Sequence, residues 1–123
     1  MQHSPEFLKL VNDAKSRVPE VTVQEVLGMQ DAEEKFEFID CREDNEWKAG
    51  HAAGARHLGK GIIERDIETA VPDKSAKVVL YCGGGFRSAL AGDTLKKMGY
   101  SNVLSMAGGI KAWRDASMPE EMG

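Results

Sequence analysis

Residues 82–88 read CGGGFRS, a cysteine followed by three glycines, an aromatic, an arginine and a serine. Gly83, Gly84 and Gly85 can take backbone conformations closed to other residues, so the loop can curl and aim several N–H groups at one central point. That point is the Cys82 sulfur. Residues 77–81 (KVVLY) form a branched, apolar strand pattern directly before the cysteine, and a helical pattern begins near Arg87. Cys82 therefore falls at the carboxyl end of a strand, where open α/β sheets place their ligands. The loop amides, the positive end of the helix and the Arg87 guanidinium all favour thiolate over thiol, which makes Cys82 a nucleophile at neutral pH. A lone buried cysteine is ordinarily a small hydrophobe; the glycines and the arginine set this one apart. A nucleotide-binding cradle is improbable, because the Gly-Lys-Ser/Thr ending and the G-x-G-x-x-G spacing are both missing.

The elements that hold this loop follow from periodicity. Ser4-Pro5-Glu6 is an N-cap with proline at the first helical position, and Phe7, Leu10 or Val11, Ala14 and Val18 follow at helical spacing, ending before Pro19. An extended piece near Val21 leads into a second helix with Val23, Val26 and Leu27 on one face and Gly28 weakening it. Residues 36–40 (FEFID) form a strand, and the acidic run 43–46 suits the first turn of a short helix. A turn-rich stretch punctuated by Gly50, Gly54, Gly59 and Gly61 holds one short strand at 55–58. A helix over 62–71 stops at Pro72. After the loop, Ala89, Leu90, Leu95 and Met98 mark the core face of a helix stopped by Gly99. A last strand at 103–105, a Gly108-Gly109 turn and a helix over 110–116 close the chain. Strands alternating with helices through short loops predict an α/β fold, a parallel sheet covered on both faces.

The 123 residues suffice for one domain with its own core, needing no disulfide or metal staple. Cys41 and Cys82 cannot make a disulfide framework, and His3, His51 and His57 lack partners at zinc-ligand spacing. No metal is expected. A net charge of -4 without a basic stripe argues against nucleic acid and anionic membranes. No stretch has signal-peptide or membrane-helix character, so a cytoplasmic location with reduced thiols is expected.

Five motifs in order, FIDCRE around Asp40-Cys41-Arg42-Glu43, Glu46-Trp47, GHAAGA at 50–55, CGGGFRS and AGGIKAW at 107–113, resemble a single-domain rhodanese of the rhodanese and Cdc25-phosphatase-like fold. The resemblance implies a three-layer α/β fold with a five-stranded parallel sheet, helices on both faces and an extra N-terminal helix. It divides the chain into a helical extension at 1–20 and a rhodanese domain at 21–123. It implies a sulfurtransferase in which Cys82 takes a sulfane sulfur from thiosulfate or a persulfide, carries it as a persulfide and gives it to a thiol or cyanide, with no cofactor. A persulfide carrier or sensor and, further off, a cysteine phosphatase or arsenate reductase are the alternatives. Amides from Gly84 to Ser88 would stabilise the anionic sulfur. The partners implied are a small sulfur donor, a thiol acceptor and a protein donor or acceptor. The family often carries basic or polar side chains in this loop, whereas here only glycines and Phe86 precede Arg87, so a small persulfide or a protein fits as well as thiosulfate. Ala53 also stands where proline is common. Phosphatases of this fold have seven-residue loops; the segment from Cys82 to Arg87 has six.

Asp40 and Arg42 would brace the loop or meet the donor, or else form a local ion pair. Glu46 is expected to orient the loop arginine or cap a helix, and His51 and His57 to make structural hydrogen bonds. Trp47 and Trp113 are expected in packing, without a stacking role. Ser88 would donate to the sulfur or serve the helix start. Cys41, on a neighbouring strand, could resolve an oxidised or persulfidated Cys82, although strand alternation could equally bury it across the sheet.

Overall fold

The structure, a computed structural model, describes residues 3–123, so Met1 and Gln2 of the expected extension lie outside the described residues. Ser4 caps helix α1 (Pro5–Lys15), its side chain accepting from the Phe7 N–H at 3.2 Å, with Pro5 at the first turn. Val11 and Ala14 face inward, while Leu10 is 62% exposed, which settles the Leu10-or-Val11 choice. Val18 lies beyond the helix end, yet it is buried against Gly92, where a Cβ would sit 2.9 Å from Val18 Cγ1. Strand β1 (Glu20–Val21) follows. Helix α2 (Val23–Asp31) starts on a reciprocal capping box between Thr22 and Glu25 and runs through Gly28 without a break.

Next come β2 (Glu37–Asp40), α3 (Asp44–Ala49), β3 (His51–Ala52), β4 (Arg56–His57) and α4 (Ile63–Ala70). The chain continues through β5 (Val78–Tyr81), α5 (Phe86–Lys97), β6 (Val103–Met106), α6 (Gly109–Asp115) and β7 (Glu120–Glu121). The five-stranded sheet has the order β1-β6-β5-β2-β4, parallel throughout, as expected. Among the described residues, no helix is long and apolar enough to cross a membrane.

Strand alternation sorts the core into two layers. Val78, Leu80 and Cys82 face Ile63 and Ile67 of α4 and Ala91 and Leu95 of α5. Val79 and Tyr81 face the other way, onto Val26 of α2 and Ile110 and Trp113 of α6. Leu90 and Met98 are half-buried, unlike the fully buried Ala89 and Leu95. Helix α1 forms a third, smaller cluster by laying Val11 and Ala14 on Ala89 of α5. Arg17 pins the end of this segment to α5 through Asp93, at 2.7 and 2.9 Å.

The antiparallel pair β3–β7, joining His51–Ala52 to Glu120–Glu121, was not expected. Two-residue strands leave no readable alternation, and the second of these carries two exposed glutamates.

Candidate active site

Cys82 directly follows β5, the central strand of the sheet, and is 1% exposed. Its Sγ accepts the Gly85 N–H at 3.1 Å and the Ser88 N–H at 3.3 Å. The expectation that all amides from Gly84 to Ser88 converge on the sulfur is thereby narrowed to two. Gly85 sets this geometry, since its φ of +99° is the left-handed conformation that lets the chain turn into α5 while its amide points back. Gly83 serves differently: a Cβ there would stand 3.1 Å from an Arg87 guanidinium nitrogen, so the missing side chain lets Arg87 lie across the loop. Gly84 has no such constraint; a Cβ would make ordinary contact with Phe86 at 3.6 Å.

Arg87 is held by Glu46 of α3 in a two-point pair at 3.0 and 3.3 Å. The Arg87 hydrogen bond holds the Glu46 carboxyl below its usual range, and the same pair raises Arg87. Glu46 also accepts from the Glu43 N–H at 3.0 Å, so both roles expected of it, orienting the arginine and capping a helix, are present in one side chain.

Below the sulfur lies a short chain of hydroxyls. Cys82 Sγ is 3.5 Å from Ser88 Oγ, which is 2.7 Å from Ser105 Oγ on the adjacent strand β6. Both serines are fully buried. Ser88 was expected here, whereas Ser105 was not. Its signal was a polar residue inside the apolar strand VLSM, which periodicity alone reads as an ordinary strand position.

The loop is also braced from behind. The first amides of α6 meet its carbonyls, Ile110 N–H to Cys82 O at 2.8 Å and Lys111 N–H to Gly83 O at 3.2 Å. Because each peptide unit is planar, this turns the Gly83 and Gly84 N–H groups away from α6. The approach requires Gly109, with φ of +56°: a Cβ there would overlap the Cys82 carbonyl oxygen and stand 2.7 Å from that of Gly83. The AGGIKAW motif thus acts as the back wall of the loop.

Asp40 and Arg42 are spent on each other. The Asp40 carboxylate accepts from Arg42 Nε and Nη2 at 3.0 and 2.8 Å, and Arg42 also donates to the Gly50 carbonyl at 2.7 Å and faces the Tyr81 ring at 5.8 Å. No hydrogen bond among the described residues links either to residues 82–88, so the local ion pair is the reading the geometry favours. Burial, then Cys82 and Asp40, pushes the Cys41 thiol well up. It donates to the Tyr81 carbonyl at 3.2 Å and packs in the same cluster as Cys82. A thiol held protonated is a poor attacking group.

His51 and His57 make structural bonds, Nδ1 to the Trp47 carbonyl at 3.0 Å and Nε2 to the Arg42 carbonyl at 2.7 Å. Trp47 corrects an expectation: it stacks on His51 of β3 at 3.4 Å and on His57 of β4 at 5.2 Å, because the chain after α3 brings both strands back beside it. Trp113 is fully buried, as expected of packing.

Cys82 opens into a pocket of about 520 Å³ lined by His3, Phe7, Gly83, Gly84, Phe86, Arg87 and Lys111. His3 and Phe7 come from the N-terminal segment, and nothing in their spacing pointed to this site.

The sequence pattern of the rhodanese-like domain matches residues 22–116. The chain belongs to the rhodanese-like domain family. Within it, the thiosulfate sulfurtransferase PspE of Escherichia coli is 37% identical over 86 residues, 70% of this chain and 79% of that protein. The probable adenylyltransferase/sulfurtransferase MoeZ of Mycobacterium tuberculosis is 34% identical over 100 residues, 81% of this chain. The chain spans about a quarter (26%) of that longer relative. A solved structure from Rhodopseudomonas palustris, of unknown function and described as a possible tyrosine phosphatase, aligns over 98% of both chains with a TM-score of 0.87 and 27% identity.

Proposed function

We propose that this protein is a sulfurtransferase that carries a sulfane sulfur as a persulfide on Cys82. The observation that carries the reading is the sulfur itself, seated at the end of β5 and accepting two loop amides. In the first half-reaction the Cys82 thiolate attacks the outer sulfur of a donor. With thiosulfate the S–S bond breaks, sulfite leaves with the electron pair and Cys82–S–S⁻ remains. In the second, cyanide or a thiolate attacks the outer sulfur and the Cys82 thiolate leaves, so charge and atoms balance without a cofactor. The amides of Gly84, Phe86 and Arg87, which make no bond to Sγ, are the donors left for the outer sulfur. Relatives named as thiosulfate sulfurtransferases support this chemistry.

The description of the Rhodopseudomonas relative favours phosphate-ester cleavage as the second reading. Two features of this loop speak against it. A phosphoryl group brings three equatorial oxygens that need donors of their own, and the six residues from Cys82 to Arg87 are one short of the loop that the fold's phosphatases use. No acid stands inside the loop to protonate a leaving alkoxide, and Glu46, the carboxyl that reaches the loop arginine, is committed to it. The test is thiocyanate production from thiosulfate or a persulfide and cyanide, run beside hydrolysis of an aryl phosphate. Sulfur transfer that Cys82→Ser abolishes, with negligible phosphate release, is expected. Faster phosphate release through Cys82 overturns the reading.

A further inference from the structure

The pocket over Cys82 has lining residues of two unlike kinds. His3 lies tilted at 4.5 Å from the Phe86 ring, Phe7 lies 5.1 Å from His3 and 6.2 Å from Phe86, and Lys15 stands over Phe86 at 5.4 Å from the ring centroid. These rings form a largely apolar wall, of which His3 and Phe7 belong to the segment before the rhodanese-like match at 22–116. Phe7 is set by the seating of Val11 and Ala14 on Ala89, so the wall is an element of the fold.

Two cations, Arg87 and Lys111, line the same pocket, and both have carboxylate partners. Arg87 is bound by Glu46 and Lys111 pairs with Asp115 at 2.9 Å. A small inorganic dianion such as thiosulfate can draw on the free loop amides and on these cations, but it gains nothing from an aromatic wall. The volume of about 520 Å³ lies instead in the range of roughly 300–1,000 Å³ that holds organic ligands. A ring or aliphatic chain entering it removes apolar surface of His3, Phe7 and Phe86 from water.

Resting on the sulfur-transfer reading, we infer that the donor is an organic hydropersulfide with an apolar body, and that His3 and Phe7 of the N-terminal segment are the specificity-determining wall that receives that body. The step is balanced: the Cys82 thiolate attacks the outer sulfur of R–S–SH, the S–S bond breaks, R–S⁻ leaves with the electron pair, and Cys82–S–SH forms. The wall contacts only R, while the loop amides face the sulfur that moves.

The test compares kcat/KM for benzyl hydropersulfide and for thiosulfate, with cyanide as acceptor, in the unaltered protein, His3→Ala, Phe7→Ala and Leu10→Ala. Leu10 sits on the same helix and faces solvent, so it reports on α1 without touching the pocket. The expected result is a preference for the hydropersulfide of ten-fold or more, falling about ten-fold in Phe7→Ala, less in His3→Ala, and unmoved in Leu10→Ala. Equal losses for both donors in Phe7→Ala and His3→Ala leave the ratio unmoved and overturn the wall, as does a preference for thiosulfate in the unaltered protein. Transfer from neither donor overturns the sulfur-transfer reading and this inference with it.

Discussion

Ser105 shows what a single hydroxyl can add beneath a reacting atom. In the line Cys82–Ser88–Ser105, a Cys82 thiolate can accept from Ser88 while Ser88 Oγ accepts from Ser105, so that each buried hydroxyl keeps an acceptor. Ser105→Ala is expected to lower sulfur transfer about three- to ten-fold, the worth of one net hydrogen bond of roughly 0.5–1.5 kcal/mol, with Ser105→Thr retaining most of the rate. Initial rates of thiocyanate formation check it. Gly109→Ala is expected to be far more severe. Its Cβ would push the Cys82 and Gly83 carbonyls off α6 and displace the sulfur, and a misplacement of about 1 Å can cost on the order of a hundred-fold in rate. The same assay, with a melting curve to show that the domain remains folded, decides this.

At the scale of elements, the wall and the loop depend on α1 staying seated on α5. Arg17 is the clasp, bonded to Asp93 of α5 and to Asp13 of α1. The Arg17 hydrogen bond holds the Asp93 carboxyl below its usual range. A depressed carboxyl contributes stability above its unfolded pKa of about 3.9 and loses it as pH falls through the lower native value. Acidification below about pH 4 should therefore loosen α1 before the sheet, seen as amide exchange rising first over residues 5–15; simultaneous loss of α1 and β5 protection would contradict this. The sheet, the long helices and the cysteine loop were legible in the sequence because each carries a period or a run of residues with one physical meaning. The β3–β7 pair was not, since two residues cannot display alternation. Nor were His3, Phe7 and Ser105, whose importance lies in what the fold brings beside them: Phe7 reads as one more apolar position on a helix, and Ser105 as one residue of a short strand. Conversely, Asp40 and Arg42, conspicuous in the sequence, bind each other and Gly50 at one remove from the loop.

For the whole molecule, the two core layers grip β5 from both faces, and its carboxyl end is where α1, α3, α5, β6 and α6 each supply something to one sulfur atom. From them come the wall, the carboxylate for Arg87, the amides, the second hydroxyl and the brace. The central claim is that this sulfur takes and holds another. The most direct measurement is the intact mass of the protein after brief exposure to a sulfane-sulfur donor, followed by peptide mapping and then by addition of cyanide. The account predicts a gain of one sulfur atom on Cys82, none on Cys41, none in Cys82→Ser, and complete reversal by cyanide with thiocyanate released in equal amount. A protein that gains no sulfur, or one that gains it equally in Cys82→Ser, would contradict it.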